Sequence, residues 1–144
     1  MAYYSLGVLT TGTASGSAAW EIRTSANTRA RIMEVGFFLN AATVSTIGLG
    51  RPAAIGVTPT SPVDLLPEDP ADVTVAGLVQ SALAWTTGPT APANFARRIS
   101  LPATVGVGVI WTWPKGYVIP ASSSVVLWNI GLSSTLNAYA VLDF

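Results

Sequence analysis

Apolar and polar residues alternate with a period of two along residues 18–25. Trp20 and Ile22 fall on one side of this run, and Glu21 and Arg23 fall on the other. Because successive side chains of a β-strand point to opposite faces of a sheet, the alternation predicts a strand with one buried face and one solvated face.

The next run, residues 28–41, also alternates, but its apolar parity shifts between Ile32 and Met33. A shift of this kind indicates a β-bulge, or a strand that is covered on both faces. A helix is the competing interpretation, because Ile32, Val35 and Leu39 also have helical spacing. A glycine and the neighbouring valine and phenylalanine favour the strand.

The remaining apolar runs are short, lie between turn signals and show no convincing helical period. We predict further strands over residues 44–50, 73–86 with a break near Gly77, 95–101, 105–113, 117–119, 124–131 and 137–143. Small residues, glycine and proline mark turns at 10–17, 87–94, Pro102, 114–116, 120–122 and 133–134. Eight to ten short strands predict an all-β sandwich or barrel, and with no linker or repeat we predict a single domain over residues 1–144.

Residues 51–72 interrupt the strand pattern with five prolines. Proline at this density is incompatible with a central strand or a helix interior, because it lacks the backbone N–H donor. A loop of this length in a compact domain is usually functional or disordered. Its apolar residues, among them Leu65 and Leu66, indicate that it packs against something, so we predict an extended proline-rich loop or arm.

Composition narrows the chemistry of the chain. It has neither histidine nor cysteine, which excludes disulfides, thiol nucleophiles, Ser-His-Asp triads and the usual zinc and haem ligand sets. Seven basic and seven acidic residues give a formal net charge of zero, so the chain lacks the cationic field that drives nucleic-acid binding. We therefore expect no cofactor, no metal, no nucleic-acid partner and no catalysis.

The scarcity of charge predicts assembly. Charged residues make up 10% of the chain, against roughly 25% in a typical soluble domain. A monomer of 14.9 kDa exposes about 7,000 Å², which leaves roughly 500 Å² for each charged side chain. Because a neutral surface with so few ions favours association, we predict that other chains cover part of it.

Membrane and export signals are weak. The first twelve residues have no basic region and only a short apolar run, so we predict no signal peptide. Residues 116–142 contain no charged residue, but Pro120, a run of three serines and Asn129 interrupt them before an apolar block of about 18 residues forms. We predict no transmembrane segment.

Three stretches carry a resemblance to a known family. Residues 118–129 (VIPASSSVVLWN) combine a turn of proline and small residues with an apolar strand that ends in Leu-Trp. Together with residues 33–38 through 47–53 and the acidic loop 68–72, they resemble small jelly-roll virion proteins of tailed bacteriophages, of the capsid decoration or cement type.

The resemblance implies an antiparallel β-sandwich with jelly-roll topology that assembles as a homo-oligomer, typically a trimer. It implies a structural virion protein, made in the host bacterial cytoplasm, that binds the major capsid protein or another virion protein and stabilises the capsid surface. The alternative is a receptor- or carbohydrate-binding module of a tail or fibre, which would expose Trp85, Trp111 or Trp113 beside polar groups.

Arg97 is the first candidate interface residue. It shares the parity of Phe95 and Ile99, which are predicted to face the core, so its charge needs a partner. One interpretation is an ion pair across a subunit interface, with Glu34 or Asp143. The other is a position at the rim of the core, from which the guanidinium reaches water.

Four of the seven acidic residues lie within residues 64–72. Clustered carboxylates can bind Ca²⁺ or form a glycosidase pair, but there is no Asp-x-Asp-x-Asp-Gly pattern, and a proline-rich loop is a poor frame for catalytic acids. We predict a solvated acidic loop, or one that docks on arginines of a neighbour such as Arg51. The candidate interface residues are therefore Arg51, Asp64, Leu65, Leu66, Glu68, Asp69, Asp72 and Arg97.

The arginines of the first two predicted strands have two interpretations. Arg23, Arg29 and Arg31 share the polar faces of these strands. They form either a basic stripe that meets an acidic patch on a shell protein, or the solvated side of a sheet, partly paired with Glu21.

Overall fold

The computed structural model describes residues 2–12, 14–73, 76–131 and 135–144. These residues form strands and no helix, which confirms the all-β prediction for this part of the chain. In chain order the strands are β1 (Tyr3–Leu9), β2 (Ser17–Thr24), β3 (Ala30–Leu39), β4 (Ser45–Gly50), β5 (Val57–Pro59), β6 (Val63–Asp64), β7 (Leu66–Pro67), β8 (Val79–Ala82), β9 (Trp85–Thr87), β10 (Arg97–Leu101), β11 (Gly108–Ile119), β12 (Ser124–Gly131) and β13 (Leu136–Asp143).

Two antiparallel sheets contain all the long strands. The five-stranded sheet has the order β11-β3-β13-β1-β7, and the six-stranded sheet has the order β10-β4-β12-β2-β8-β6. The strands β5 and β9 form a separate two-stranded pair. Successive long strands alternate between the two sheets from β1 to β4, and again from β10 to β13, so each sheet is built from strands that are distant in the sequence.

A hydrophobic core fills the space between the two sheets in a sandwich-like arrangement. Ile32 and Phe37 enter it from the five-stranded sheet, and Trp20 and Leu127 enter it from the six-stranded sheet. All four side chains are buried, and the Phe37 ring meets the Trp111 ring edge to face with centroids 5.0 Å apart. Since burial of apolar surface is the dominant favourable term in folding, these residues hold the sheets together.

The strand β3 contains the bulge that its parity shift predicted. In its pairing with β13 the register shifts between Val141 and Leu142, which leaves Met33 as the extra residue. Ile32 and Val35 are both fully buried although they are three positions apart. Because alternate strand residues point to opposite faces, one extra residue is what returns both side chains to the core.

The turn predicted at residues 114–116 lies inside β11, so the predicted break between two strands is wrong. The register of β11 with β3 shifts between Thr112 and Tyr117, and the intervening residues bulge out of the pairing. Gly116 has a φ of 78°, a conformation that costs glycine little. A proline is tolerated here because a bulge makes no demand on its missing N–H group.

The strand β1 is absent from the sequence prediction. It pairs with β13 over its whole length, from Tyr3 opposite Asp143 to Leu9 opposite Asn137. The available signal is the alternation of Tyr4 and its apolar neighbours with smaller residues, which is as regular as that of β2.

The strand predicted over residues 73–86 is two short strands, β8 and β9. A turn precedes β8, and Gly77 adopts a φ of 74° in it, close to the predicted break. Residues 74–75 of this prediction, and the turn predicted at 133–134, lie outside the described residues.

The proline-rich segment 51–72 contains three short strands, which corrects the prediction of an extended loop or arm. The strand β6 pairs with β8 at the end of the six-stranded sheet, and β7 pairs with β1 at the end of the five-stranded sheet. Between them Leu65 is fully buried in the core. The segment therefore joins the two sheets along one edge, and proline is tolerated because these are edge strands.

The outer face of the six-stranded sheet is covered by a ribbon of the chain itself. We use "ribbon" for residues 54–59 and 85–90, which contain β5 and β9 and are joined by a further bridge between Ala54 and Thr90. A second apolar cluster lies beneath it, in which Val126 and Trp128 of β12 pack against Trp85 and Phe95. The prediction that one face of β2 is solvated is therefore wrong, because the ribbon covers that face.

Candidate interaction surfaces

The candidate interface residues lie on two opposite edges of the sandwich. The basic edge comprises Arg51, Arg97, Arg98 and Lys115, which lie on or beside β10 and β11, the strands that end the two sheets on one side. The acidic edge comprises Asp64, Glu68, Asp69 and Asp72, which lie on or directly after β6 and β7, the strands that end the two sheets on the other side. The charges of the chain are thus segregated.

Two arginines and two aromatic rings form a continuous row on the basic edge. Arg51 donates from Nη1 to the Tyr117 hydroxyl at 2.9 Å and from Nη2 to the Val118 carbonyl at 2.7 Å. Its Cζ lies 4.2 Å from the centroid of the Tyr117 ring. The ring of Tyr117 lies 5.6 Å from the ring of Trp113, and the Cζ of Arg97 lies 5.2 Å from Trp113. Cation–π attraction stabilises this row.

The bulge in β11 determines which of the two tryptophans of this strand reaches the basic edge. Trp111, in register before the bulge, is buried in the core, whereas Trp113, within it, lies at the open edge between the sheets. Arg97 therefore stacks on an aromatic ring at the rim of the core. Within one copy its two predicted ion-pair partners are otherwise engaged, because Glu34 accepts a hydrogen bond from Tyr139 and Asp143 pairs with Arg31.

Within the part of the chain that the structure describes, no carboxylate forms an ion pair with a cation of the basic edge. Among the described residues, the ion pairs are Arg23 with Glu21 and Arg31 with Asp143. The side chains of the basic edge are exposed, so their charges face solvent and are available to a partner.

On the acidic edge, two carboxylates support the local backbone. Asp64 Oδ1 accepts hydrogen bonds from the Gly77 backbone nitrogen at 3.0 Å and from Gln80 Nε2 at 2.8 Å. Asp69 Oδ1 accepts a hydrogen bond from the Ala71 backbone nitrogen at 2.9 Å. Among the described residues, no group of three acidic side chains is placed to hold a metal ion.

Leucines of the acidic edge divide between core and surface. Leu65, a predicted interface residue, is fully buried and is a core residue, because the chain crosses from one sheet to the other at this point. Leu66 is 58% exposed and Val63 is 49% exposed. The acidic edge therefore combines carboxylates with exposed apolar side chains, as the basic edge combines cations with aromatic rings.

Glu21 forms a buried polar centre that the sequence pattern does not reveal. Its carboxylate is fully buried and accepts four hydrogen bonds. The donors are Arg23 Nη1 at 3.2 Å, Trp85 Nε1 at 3.0 Å, the Gly56 backbone nitrogen at 3.0 Å and Ser124 Oγ at 2.8 Å. Since two of the donors belong to the ribbon and two to the sheet, the carboxylate fastens one to the other.

The outer face of the five-stranded sheet has no such cover among the described residues. The Tyr139 ring lies over Gly36, where an added Cβ would meet it at 2.3 Å, and its hydroxyl donates to Glu34 Oε2 at 2.7 Å. Burial, this hydrogen bond and the negative charge of Glu34 raise the pKa of Tyr139 to about 12. A shallow cavity of about 400 Å³ adjoins the ring, lined in part by Leu9 and Phe38.

The basic stripe predicted from Arg23, Arg29 and Arg31 does not form. The first arginine lies on β2 in the six-stranded sheet, whereas Arg31 lies on β3 in the five-stranded sheet. The predicted pairing of Arg23 with Glu21 is confirmed, at 3.2 Å. Consecutive strands in the sequence share no face here because they alternate between sheets.

Comparison with protein-family models, with curated proteins and with solved structures found no match for this chain. No helix among the described residues is long and apolar enough to cross a membrane.

Proposed function

We propose that this protein is a structural component of a bacteriophage virion, a jelly-roll capsid decoration protein that assembles as a homotrimer on the capsid. It acts as a cement, by binding the major capsid protein and stabilising the shell. Catalysis and cofactors have no part in the proposal.

The strand order supports the jelly-roll part of the proposal. Counted over the eight long strands, the five-stranded sheet holds the first, eighth, third and sixth as neighbours, and the six-stranded sheet holds the second, seventh, fourth and fifth. This is the order that two interlocked Greek keys produce in a jelly roll, an architecture used by viral capsid and lectin domains. The segment between the fourth and fifth long strands supplies β5–β9.

The single observation that carries the assembly proposal is the sparsely charged surface. The accessible surface of one copy is 6709 Å², and divided among fourteen charged residues it leaves about 480 Å² for each. Large apolar side chains are exposed on both sides of the sandwich, among them Leu9, Val57 and Ile110, each more than half exposed. Such a surface favours burial against other chains.

The physical mechanism is burial of this surface. A contact of about 1,000 Å² at about 25 cal/mol per Å² contributes roughly 25 kcal/mol of gross stabilisation, against association costs of about 4–15 kcal/mol. A protein that bridges neighbouring capsid subunits in this way raises the free energy needed to separate them. No moving part is required.

Sedimentation velocity of the purified protein tests the homo-oligomer. We expect a species of three times 14.9 kDa at micromolar concentration. A stable monomer at that concentration contradicts the proposal.

Binding to shells of the cognate major capsid protein tests the location. We expect labelled protein to cosediment with undecorated shells and to raise the temperature at which they disrupt. Shells already saturated with unlabelled protein are the control, since they offer no free sites. If the intact trimer fails to cosediment with the shells, the proposed location on the capsid is contradicted, and another part of the virion becomes the expected location.

A receptor- or carbohydrate-binding module remains the second candidate, on one observation. Trp113 lies half-buried beside Arg97 and Tyr117, and an aromatic ring beside a charged group is able to stack on a sugar. Glycan-array binding that Trp113→Ala abolishes would favour this candidate over the capsid protein.

A further inference from the structure

The opposite edges of the sandwich carry opposite charge, with little compensation inside the molecule. The basic edge holds four of the seven basic residues, and the acidic edge holds four of the seven acidic residues. Both ion pairs among the described residues lie away from these edges. The neutral net charge therefore conceals a molecule with a cationic end and an anionic end.

We propose that copies of this chain associate head to tail, with the basic edge of one copy against the acidic edge of the next. This inference rests on the proposed function, because it specifies the contact by which the homo-oligomer forms. The occupant of each edge is thus a second copy of the chain, as the complementary charges require.

The two edges match in apolar character as well as in charge. The rings of Trp113 and Tyr117 lie between the arginines on the basic edge, and Leu66 and Val63 are exposed among the carboxylates of the acidic edge. Interface cores are enriched in aromatic residues and arginine, with charged groups at the rim. A contact of these edges places the apolar side chains together and surrounds them with ion pairs.

The symmetry of the contact follows from the charges. A two-fold interface would bring each edge against its own copy and oppose like charges. A head-to-tail interface joins two different surfaces, so it is heterologous, and it forms a ring when the rotation closes. A closed ring of three is the form that the proposed trimer takes.

The ends of the sheets favour side-chain contact over the addition of strands. The strands β6 and β7 have two residues each, and prolines lie beside or within them. Short edge strands that contain proline are poor templates for backbone pairing. The specificity of the contact therefore depends on the charged and apolar side chains named above.

Charge reversal tests the contact. Arg98→Glu with Lys115→Glu leaves two cations and two carboxylates on the basic edge, and Glu68→Lys with Asp72→Lys leaves the same balance on the acidic edge, so each double variant cancels the net charge of one edge. We expect each double variant to raise the dissociation constant for self-association at least 100-fold in sedimentation equilibrium. Arg29→Glu is the matched control, because this exposed arginine lies on neither edge, and we expect it to change the constant less than threefold.

The chain that carries all four reversals provides the decisive readout. We expect this quadruple variant to self-associate with wild-type affinity within tenfold, because the signs are then exchanged on both sides of every contact. This rescue also excludes misfolding as the cause of the losses, and thermal unfolding of each variant provides an independent check.

The outcomes separate this inference from the proposed function. An oligomer that resists both double reversals overturns the head-to-tail contact and leaves the homo-oligomer standing. A wild-type monomer overturns the homo-oligomer itself. Loss of association without rescue in the quadruple variant also overturns the contact, because an interface between these two edges requires the rescue.

Discussion

The two outer faces of the sandwich each carry a glutamate, and the two glutamates differ in burial and in hydrogen bonding. On the six-stranded sheet, Glu21 of β2 is fully buried beneath the ribbon and accepts four hydrogen bonds. On the five-stranded sheet, Glu34 of β3 is partly exposed and accepts one hydrogen bond, from Tyr139. Both residues belong to strands with apolar residues facing the core, so strand pattern alone does not distinguish them.

The difference teaches that a covering segment changes the role of a polar strand residue. A buried carboxylate needs a full set of donors, because an unpaired buried charge is costly. The ribbon supplies two of these donors, from Trp85 and Gly56, and so makes its own docking depend on Glu21. The outer face of the five-stranded sheet, which we call the bare face, makes no such demand, and its apolar side chains Leu9 and Ile110 are exposed.

The largest effect is expected from Glu21→Ala. The change removes the carboxylate that pairs with Arg23, which keeps only its hydrogen bond to the Gly56 carbonyl, and it leaves three other donors without their acceptor. Breaking a buried pair of this kind costs about 3–5 kcal/mol. Urea unfolding measures the loss. Glu34→Ala is the matched control on the bare face, expected to cost less than about 1 kcal/mol because its partner reaches water. Equal losses for the two variants would contradict the comparison.

A smaller difference is expected between Gly56→Ala and Gly36→Ala. In both cases the new Cβ would meet an aromatic ring at 2.3 Å, that of Trp85 or that of Tyr139. A hydrogen bond to the buried carboxylate of Glu21 holds the Trp85 ring in place. We therefore expect Gly56→Ala to lower the free energy of unfolding by about 1–3 kcal/mol.

Tyr139 is partly exposed, so we expect its ring to swing toward solvent in Gly36→Ala and the free energy of unfolding to fall by less than about 1 kcal/mol. Thermal unfolding of both variants measures the pair. If Gly36→Ala proves the more costly, the five-stranded face is not free to rearrange and the contrast fails.

The smallest expected effect is a pH dependence of the stability of the fold, which arises from Tyr139 on the bare face. The pKa of Tyr139 is raised to about 12, above the ordinary value of about 10, so the folded state retains a proton that the unfolded state loses between these values. The contribution to stability is therefore complete below pH 10 and declines as the pH rises through 12.

Ultraviolet titration of the phenols checks this prediction. We expect one tyrosine to ionise about two pH units after an ordinary tyrosine, and Tyr139→Phe to remove that late transition. Glu34→Gln is expected to lower the pKa of Tyr139, since the substitution removes the negative charge beside the Tyr139 hydroxyl. A wild-type curve without a late component would show that the contact between Tyr139 and Glu34 is absent in solution.

Local pattern predicted much of the architecture. The alternation in residues 18–25 and the parity shift at Met33 correspond to β2 and to the bulge in β3, because a period of two is a local property of the strand. The same rule applied to Tyr4 and its neighbours would have identified β1. The proline-rich segment was harder, because two-residue edge strands such as β6 and β7 leave no periodic trace.

The sequence by itself determined an all-β chain, the positions of most strands and a surface poor in charge, since these depend on neighbouring residues and on composition. Only the tertiary structure decided that Glu21 and Leu65 are buried, and that Arg51 and Arg97 share an edge opposite the acidic residues. The physical reason is that strands alternate between sheets, so residues distant in the sequence become neighbours, and the segment that covers a face is specified far from the strand it covers.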